Sequence, residues 1–126
     1  MNEAMRKLAA ELARMTSEEA AEWLMSRYPI DSSYGEAFIL LAHRSWRRED
    51  QRRLARYYLQ RMPFASSKPY EVFASFMSLR ALIPILKEYL PESTEDMQLL
   101  QYHLTPILRQ LVRSDDDAKL VEALFK

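Results

Sequence analysis

The stretch DQRRLARYYLQRM, residues 50–62, decides the fold class, because its apolar and charged side chains separate at helical spacing. At about 100° per residue, one arc of the helix holds the apolar residues Leu54, Ala55, Tyr58, Leu59 and Met62. The opposite arc holds Arg52, Arg53, Arg56, Tyr57, Gln60 and Arg61. The pattern predicts an amphipathic α-helix that buries one face.

Helix signals of this kind recur along the whole chain. Residues 34–46 are apolar nearly all round and predict a central buried helix. Residues suited to start a helix stand before the amphipathic stripes, including the one at 50–62: Asn2, Thr16 with Glu19, Asp50, Ser67 with Pro69, Ser78, Ser93 and Ser114. The sequence therefore predicts an all-α fold, one helical domain over residues 1–126, with seven or eight short helices packed as antiparallel pairs. A HEAT/ARM-like arrangement of those helices stays open.

The scarcity of glycine supports this fold class. The chain has one glycine, Gly35, and no cysteine. It therefore lacks the glycines of a phosphate-cradling loop, a dinucleotide fold or tight β-hairpins, and the thiols of a disulfide scaffold. Gly35 ends the irregular segment 29–35, so we expect it to form a tight turn and expect Gly35→Val to destabilise the protein.

Two short segments resemble each other. Residues 82–87 (LIPILK) match residues 104–109 (LTPILR) at an offset of 22 residues, and each contains a proline inside a helical pattern. Such a proline removes a backbone hydrogen bond and bends the helix. The similarity indicates either repeat ancestry or coincidence.

The chain offers few residues suited to catalysis. Its only histidines, His43 and His103, are 60 residues apart and belong to no metal-binding motif. Most serines stand where helix caps belong, and the acidic clusters stand at helix starts, where the macrodipole favours them. We therefore expect no enzymatic activity, no metal and no cofactor.

The charges are unevenly distributed although the net charge is zero. Residues 44–61 carry seven arginines against Glu49 and Asp50, which makes this segment a basic island. It has three interpretations: a solvated helix face paired with acidic neighbours, a protein-binding surface, or a nucleic-acid-binding surface. The last would use the basic face Arg52, Arg53, Arg56 and Tyr57. The neutral net charge disfavours nucleic acid as a partner.

The sequence contains no membrane segment. Residues 1–15 alternate charged and apolar side chains, unlike a signal peptide, and no stretch approaches the run of about 18 apolar residues that would span a bilayer. We expect a cytoplasmic protein that does not bind membranes.

Residues 69–78 (PYEVFASFMS) and 99–108 (LLQYHLTPIL) resemble small helical bacterial immunity proteins. These are encoded beside polymorphic toxins, including contact-dependent growth inhibition toxins. The resemblance covers the C-terminal half of the chain. It implies a cytosolic protein that binds one cognate toxin, often a nuclease, and blocks it.

A nuclease has a positive substrate groove, so acidic side chains would dock there. The candidate binding residues are four carboxylates and two tyrosine anchors: Glu71, Glu92, Glu95, Asp96, Tyr70 and Tyr102. Tyr102 lies opposite the apolar stripe of its helix, and tyrosine is enriched at interface hot spots. A general helical adaptor and a nucleic-acid-binding regulator are the alternatives.

Overall fold

The structure is a computed structural model that describes residues 1–31 and 34–126. The described residues form eight α-helices and no β-strand, which confirms the all-α prediction. The helices are α1 Glu3–Arg14, α2 Ser17–Arg27, α3 Gly35–Leu41, α4 Arg48–Leu59, α5 Lys68–Phe76, α6 Leu79–Glu88, α7 Thr94–Leu111 and α8 Asp115–Leu124.

Side-chain caps start five of the eight helices as the sequence predicts. The Asn2 side chain accepts a hydrogen bond from the Met5 N–H at 2.8 Å, and Thr16 with Glu19 forms a complete capping box. The hydroxyl oxygens of Ser78, Ser93 and Ser114 accept the N–H three residues ahead. Each bond satisfies a backbone donor that the helix itself leaves unpaired.

The predicted central helix over residues 34–46 is wrong in length. Helix α3 ends at Leu41, and the chain turns before Trp46, whose buried indole Nε1–H donates to the Leu41 carbonyl at 3.0 Å. The indole thus satisfies a carbonyl at the end of α3, where the helix no longer supplies a donor. Ile39 is 36% exposed, so one side of α3 faces solvent although the sequence predicts a helix buried all round.

Asp50 does not cap α4, contrary to the prediction. The helix begins at Arg48, two residues before Asp50, and the backbone N–H of its N-cap residue Arg47 donates to the Ser17 hydroxyl at 3.0 Å. Asp50 therefore lies within the first turn, where it is only 4% exposed. Its Oδ2 atom has no hydrogen-bond partner in the described part of the chain.

The expected turn at Gly35 is also wrong. Gly35 is the first residue of α3, and its φ angle is not positive. A Cβ atom at this position would meet no other atom within 4 Å. The rest of the segment includes residues 32–33, which lie outside the described part of the chain.

We expect Gly35→Ala to raise the free energy of unfolding by about 0.4–1 kcal/mol, because alanine restricts the unfolded chain where the folded backbone accepts it. Urea denaturation followed by circular dichroism measures the change. A loss of stability would contradict the helical conformation described for Gly35.

The helices are stacked in two rows. Helices two positions apart in sequence pack against each other, from α1 with α3 through α6 with α8. The odd-numbered helices therefore form one row and the even-numbered helices the other. Consecutive helices also pack at α4–α5, α5–α6 and α7–α8. Stacking of this kind is the arrangement of α-helical repeat proteins.

The two similar segments do not occupy equivalent places in these rows. Residues 82–87 lie in α6 and residues 104–109 lie in α7, on opposite rows. A repeat of two helices would relate α6 to α8 instead. The row arrangement therefore gives the 22-residue similarity no support as a structural repeat.

Aromatic rings fill the centre of the core. Phe38 is 3% exposed, and its ring centroid lies 5.5–6.1 Å from four neighbouring rings. These neighbours are Tyr34, Tyr58, Phe64 and Phe73. Because they come from α4, α5 and the segments before α3 and α5, this one ring joins both rows.

Buried tyrosine hydroxyls make the fold sensitive to alkaline pH. Burial raises the pKa of Tyr70 to about 12 and also raises the pKa of Tyr58, whereas the unfolded chain titrates near pH 10. Above that value the unfolded state loses its proton first, so stability decreases by at most about 1.4 kcal/mol per pH unit for each tyrosine. We expect the urea midpoint to be level from pH 8 to 9.5 and to fall by pH 11.

The double variant Tyr58→Phe/Tyr70→Phe tests this assignment, because phenylalanine does not titrate. Its midpoint between pH 9.5 and 11 should fall less steeply than that of the wild type. An equal slope in both proteins would assign the alkaline loss to other groups.

Candidate protein-binding surface

Helix α7 carries the most exposed aromatic side chain of the described residues, Tyr102, which is 76% exposed. The helix packs on α5 and α8 through Leu100, Leu104, Ile107 and Leu108, all of them buried. Tyr102 projects from the opposite side, as predicted, and its ring contacts the His103 ring edge-on at 5.0 Å between centroids.

Glu95, Leu99, Tyr102 and Pro106 together form what we call the Tyr102 face. They follow one another at spacings of four, three and four residues, so they share one side of the helix. All four are exposed, and Leu99 is 39% exposed although leucine is normally buried. An acidic group, an apolar side chain and an aromatic ring thus lie along one outward strip.

Sequence reasoning missed Leu99 and Pro106 as surface residues. The signal for Leu99 was available, because it stands one position before the buried Leu100 and hence about 100° away from the apolar stripe. Pro106 adds a backbone feature. Since proline has no N–H, the Tyr102 carbonyl lacks its usual donor four residues ahead and can accept a hydrogen bond from outside the helix.

The predicted acidic residues are exposed around the start of α7. Glu95 and Asp96 lie in its first turn, and Glu92 precedes it in the loop from α6. Glu71 is exposed on α5, which packs directly against α7 in the same row. The structure therefore brings three of the four carboxylates to one end of α7 and places the fourth on the neighbouring helix.

Tyr70 is not a surface anchor, contrary to the prediction. Its side chain is 2% exposed, and its hydroxyl oxygen accepts a hydrogen bond from the Phe64 N–H at 3.0 Å. The ring also packs against Phe64 with centroids 5.5 Å apart. Tyr70 therefore fixes the loop before α5, and Tyr102 alone remains as an anchor.

Arg44, the first arginine of the basic island, has a structural role. Its Nη1 group donates to the carbonyls of Leu12 and Met15 at 2.6 and 3.1 Å, which satisfies the end of α1. The guanidinium also lies over the Trp46 ring, 4.8 Å from the centroid, a favourable cation–π geometry. Arg44 thus links the end of α1 to the segment between α3 and α4.

Two further arginines pair with carboxylates across the even row. Arg53 bonds to Glu22 of α2, and Arg56 Nε lies 3.7 Å from Glu88 Oε2 of α6. Tyr57, the residue after Arg56, is half-buried, and its hydroxyl accepts the Ile30 N–H at 3.2 Å. Of the basic face Arg52, Arg53, Arg56 and Tyr57, only Arg52 has no such bond among the described residues.

The described residues include no cluster of three or more histidine, aspartate or glutamate side chains that could hold a metal ion. His43 is exposed, and its Nδ1 atom lies 2.6 Å from the Ile39 carbonyl, so the ring is tied to the end of α3. No helix of the described residues has the length and apolar character to cross a membrane.

Comparison with known proteins identifies no relative: no family model, no curated protein and no solved structure matches the chain.

Proposed function

We propose that this protein is an immunity protein that binds a cognate bacterial toxin in the cytoplasm and neutralises it by covering its active surface. The observation that carries the proposal is the Tyr102 face, an exposed aromatic and apolar strip bordered by carboxylates at the start of α7. The resemblance of residues 69–78 and 99–108 to helical immunity proteins supports the same partner, since the second segment contains three of the four residues of this face.

The acidic end of the Tyr102 face, at the start of α7, suits a basic partner. Tyr102 supplies a large rigid contact, and Leu99 adds apolar area next to it. Glu92, Glu95 and Asp96 supply negative charge nearby. A nuclease toxin with a positive substrate groove meets both requirements, because opposite charges steer association and the groove accepts the ring.

The pairing inside the basic island argues against nucleic acid as the main partner. A nucleic acid would have to displace Glu22 and Glu88 from Arg53 and Arg56, and Tyr57 already uses its hydroxyl within the protein. Both ion pairs are exposed and hence individually weak. They nevertheless support the interpretation of this part of the island as a helix face paired with acidic neighbours.

Co-expression with the protein encoded immediately upstream tests the proposal. That neighbour should stop growth when it is expressed alone, and growth should return when this chain is present. The two proteins should also co-purify. A neighbour that is harmless alone, or that stays toxic beside this chain, would refute the proposal. Binding to many unrelated proteins would favour a general adaptor instead.

A further inference from the structure

A cavity of about 310 Å³ lies where the start of α4 meets the junction of α5 and α6. Its lining consists of Arg48, Gln51, Arg52, Phe76, Ser78 and Ala81, and we refer to it as the Arg48–Arg52 cavity. It is separate from the Tyr102 face, and the inference drawn from it does not depend on the proposed function.

Arg48 and Arg52 provide two positive charges to this cavity. They are four residues apart on α4, so they are neighbours on one side of the helix. Neither has a carboxylate within 4.0 Å among the described residues, although Glu49 is adjacent in sequence. Arg53 and Arg56 of the same helix do have such partners. The charge at this cavity is therefore available to a ligand.

The other walls add polar and apolar groups. The Ser78 oxygen accepts the Ala81 N–H, which leaves its hydroxyl hydrogen free to donate. Gln51 uses one amide hydrogen on the Trp46 carbonyl and keeps a second. Phe76 is half-buried and forms the apolar part of the lining.

We propose that the Arg48–Arg52 cavity binds a small phosphate monoester, with the phosphate on the two guanidinium groups and the organic group on the Phe76 ring. A phosphate monoester carries a charge between −1.5 and −2 near neutral pH, which balances the positive charges of two arginines. A ligand with a single carboxylate would balance the charge of only one arginine. Guanidinium groups bind phosphate oxygens in bidentate geometry. Ser78 and Gln51 supply the remaining donors.

Titration with inorganic phosphate and with phenyl phosphate, against sodium chloride at equal ionic strength, tests the site. Amide shifts in a ¹⁵N-labelled sample should saturate at Gln51 and at residues 78–81. Phenyl phosphate should bind more tightly than inorganic phosphate, since only the ester reaches Phe76. Equal affinity for the two would refute the placement of the organic group, and no saturable shift would refute the site.

Arg48→Gln/Arg52→Gln should weaken phenyl phosphate binding at least about tenfold, because it removes charge-assisted hydrogen bonds. The matched control is Arg47→Gln/Arg61→Gln, which removes the same charge from exposed arginines of the same island that do not line the cavity. This control should retain binding. An equal loss in both variants would assign the effect to a diffuse basic surface and overturn the proposal. Thermal melts of both variants verify that they are folded.

Discussion

Phe38→Ala is expected to lower the free energy of unfolding by about 3–5 kcal/mol, the range for removing a buried phenylalanine. The ring is 3% exposed and contacts four other aromatic rings. Because these four rings cannot all move into the space that alanine leaves, we expect a cavity to remain. A small domain has only about 5–15 kcal/mol of stability in total. Urea denaturation followed by far-ultraviolet circular dichroism should therefore show a much lower midpoint, or a chain largely unfolded at 25 °C.

Two controls separate the loss of this ring from a general sensitivity of α3. Phe38→Leu keeps most of the apolar volume and should cost clearly less than the alanine variant. Ile39→Ala changes the next residue, which is 36% exposed, and should cost less still. A loss below about 1 kcal/mol for Phe38→Ala would contradict the packing described for this ring.

Under the proposed function, Tyr102→Ala is expected to weaken binding to the cognate toxin by about 2 kcal/mol or more, roughly 30-fold in Kd, which is the size of an interface hot spot. Because the side chain is 76% exposed in the free protein, stability should be nearly unchanged. Isothermal titration calorimetry gives the affinity, and a thermal melt gives the stability. Rescue of growth in co-expression should decrease in parallel.

Lys87→Ala is the matched control, because Lys87 is exposed on α6 in the other row of helices. It should leave toxin affinity unchanged. If Tyr102→Ala leaves the affinity unchanged, or if Lys87→Ala lowers it equally, the Tyr102 face is not the interface. A complex that forms without rescuing growth would retain the binding surface and refute the blocking mechanism.

Local signals carried most of the fold prediction. The cap residues Asn2, Thr16, Ser78, Ser93 and Ser114 act within three residues of themselves, so the sequence contains the whole interaction. Asp50 shows the limit of this reasoning. It has the chemistry of a cap, but α4 begins at Arg48, and the backbone N–H of Arg47 just before it bonds to Ser17, 30 residues earlier.

The candidate surface was predictable where helical spacing alone decides exposure. Tyr102 lies opposite an apolar stripe, and the structure places it outside. The burial of Tyr70 was also available from spacing, because it stands three residues before Phe73 and seven before Met77, which are both buried; its contact with Phe64 was not. The ion-pair partners of Arg53 and Arg56 could not be predicted from the sequence. Glu22 and Glu88 lie close to these arginines only because α2, α4 and α6 stack on one another.

The two-row stacking has a consequence for how the Tyr102 face can evolve. The main helix–helix contacts join elements no more than two positions apart, so stability is close to a sum of nearest-neighbour terms. Substitutions on the outer side of α7 are then almost uncoupled from packing at α1 or α2. Such an architecture tolerates rapid change at one helix, and under the proposed function this independence would let the Tyr102 face follow a changing partner.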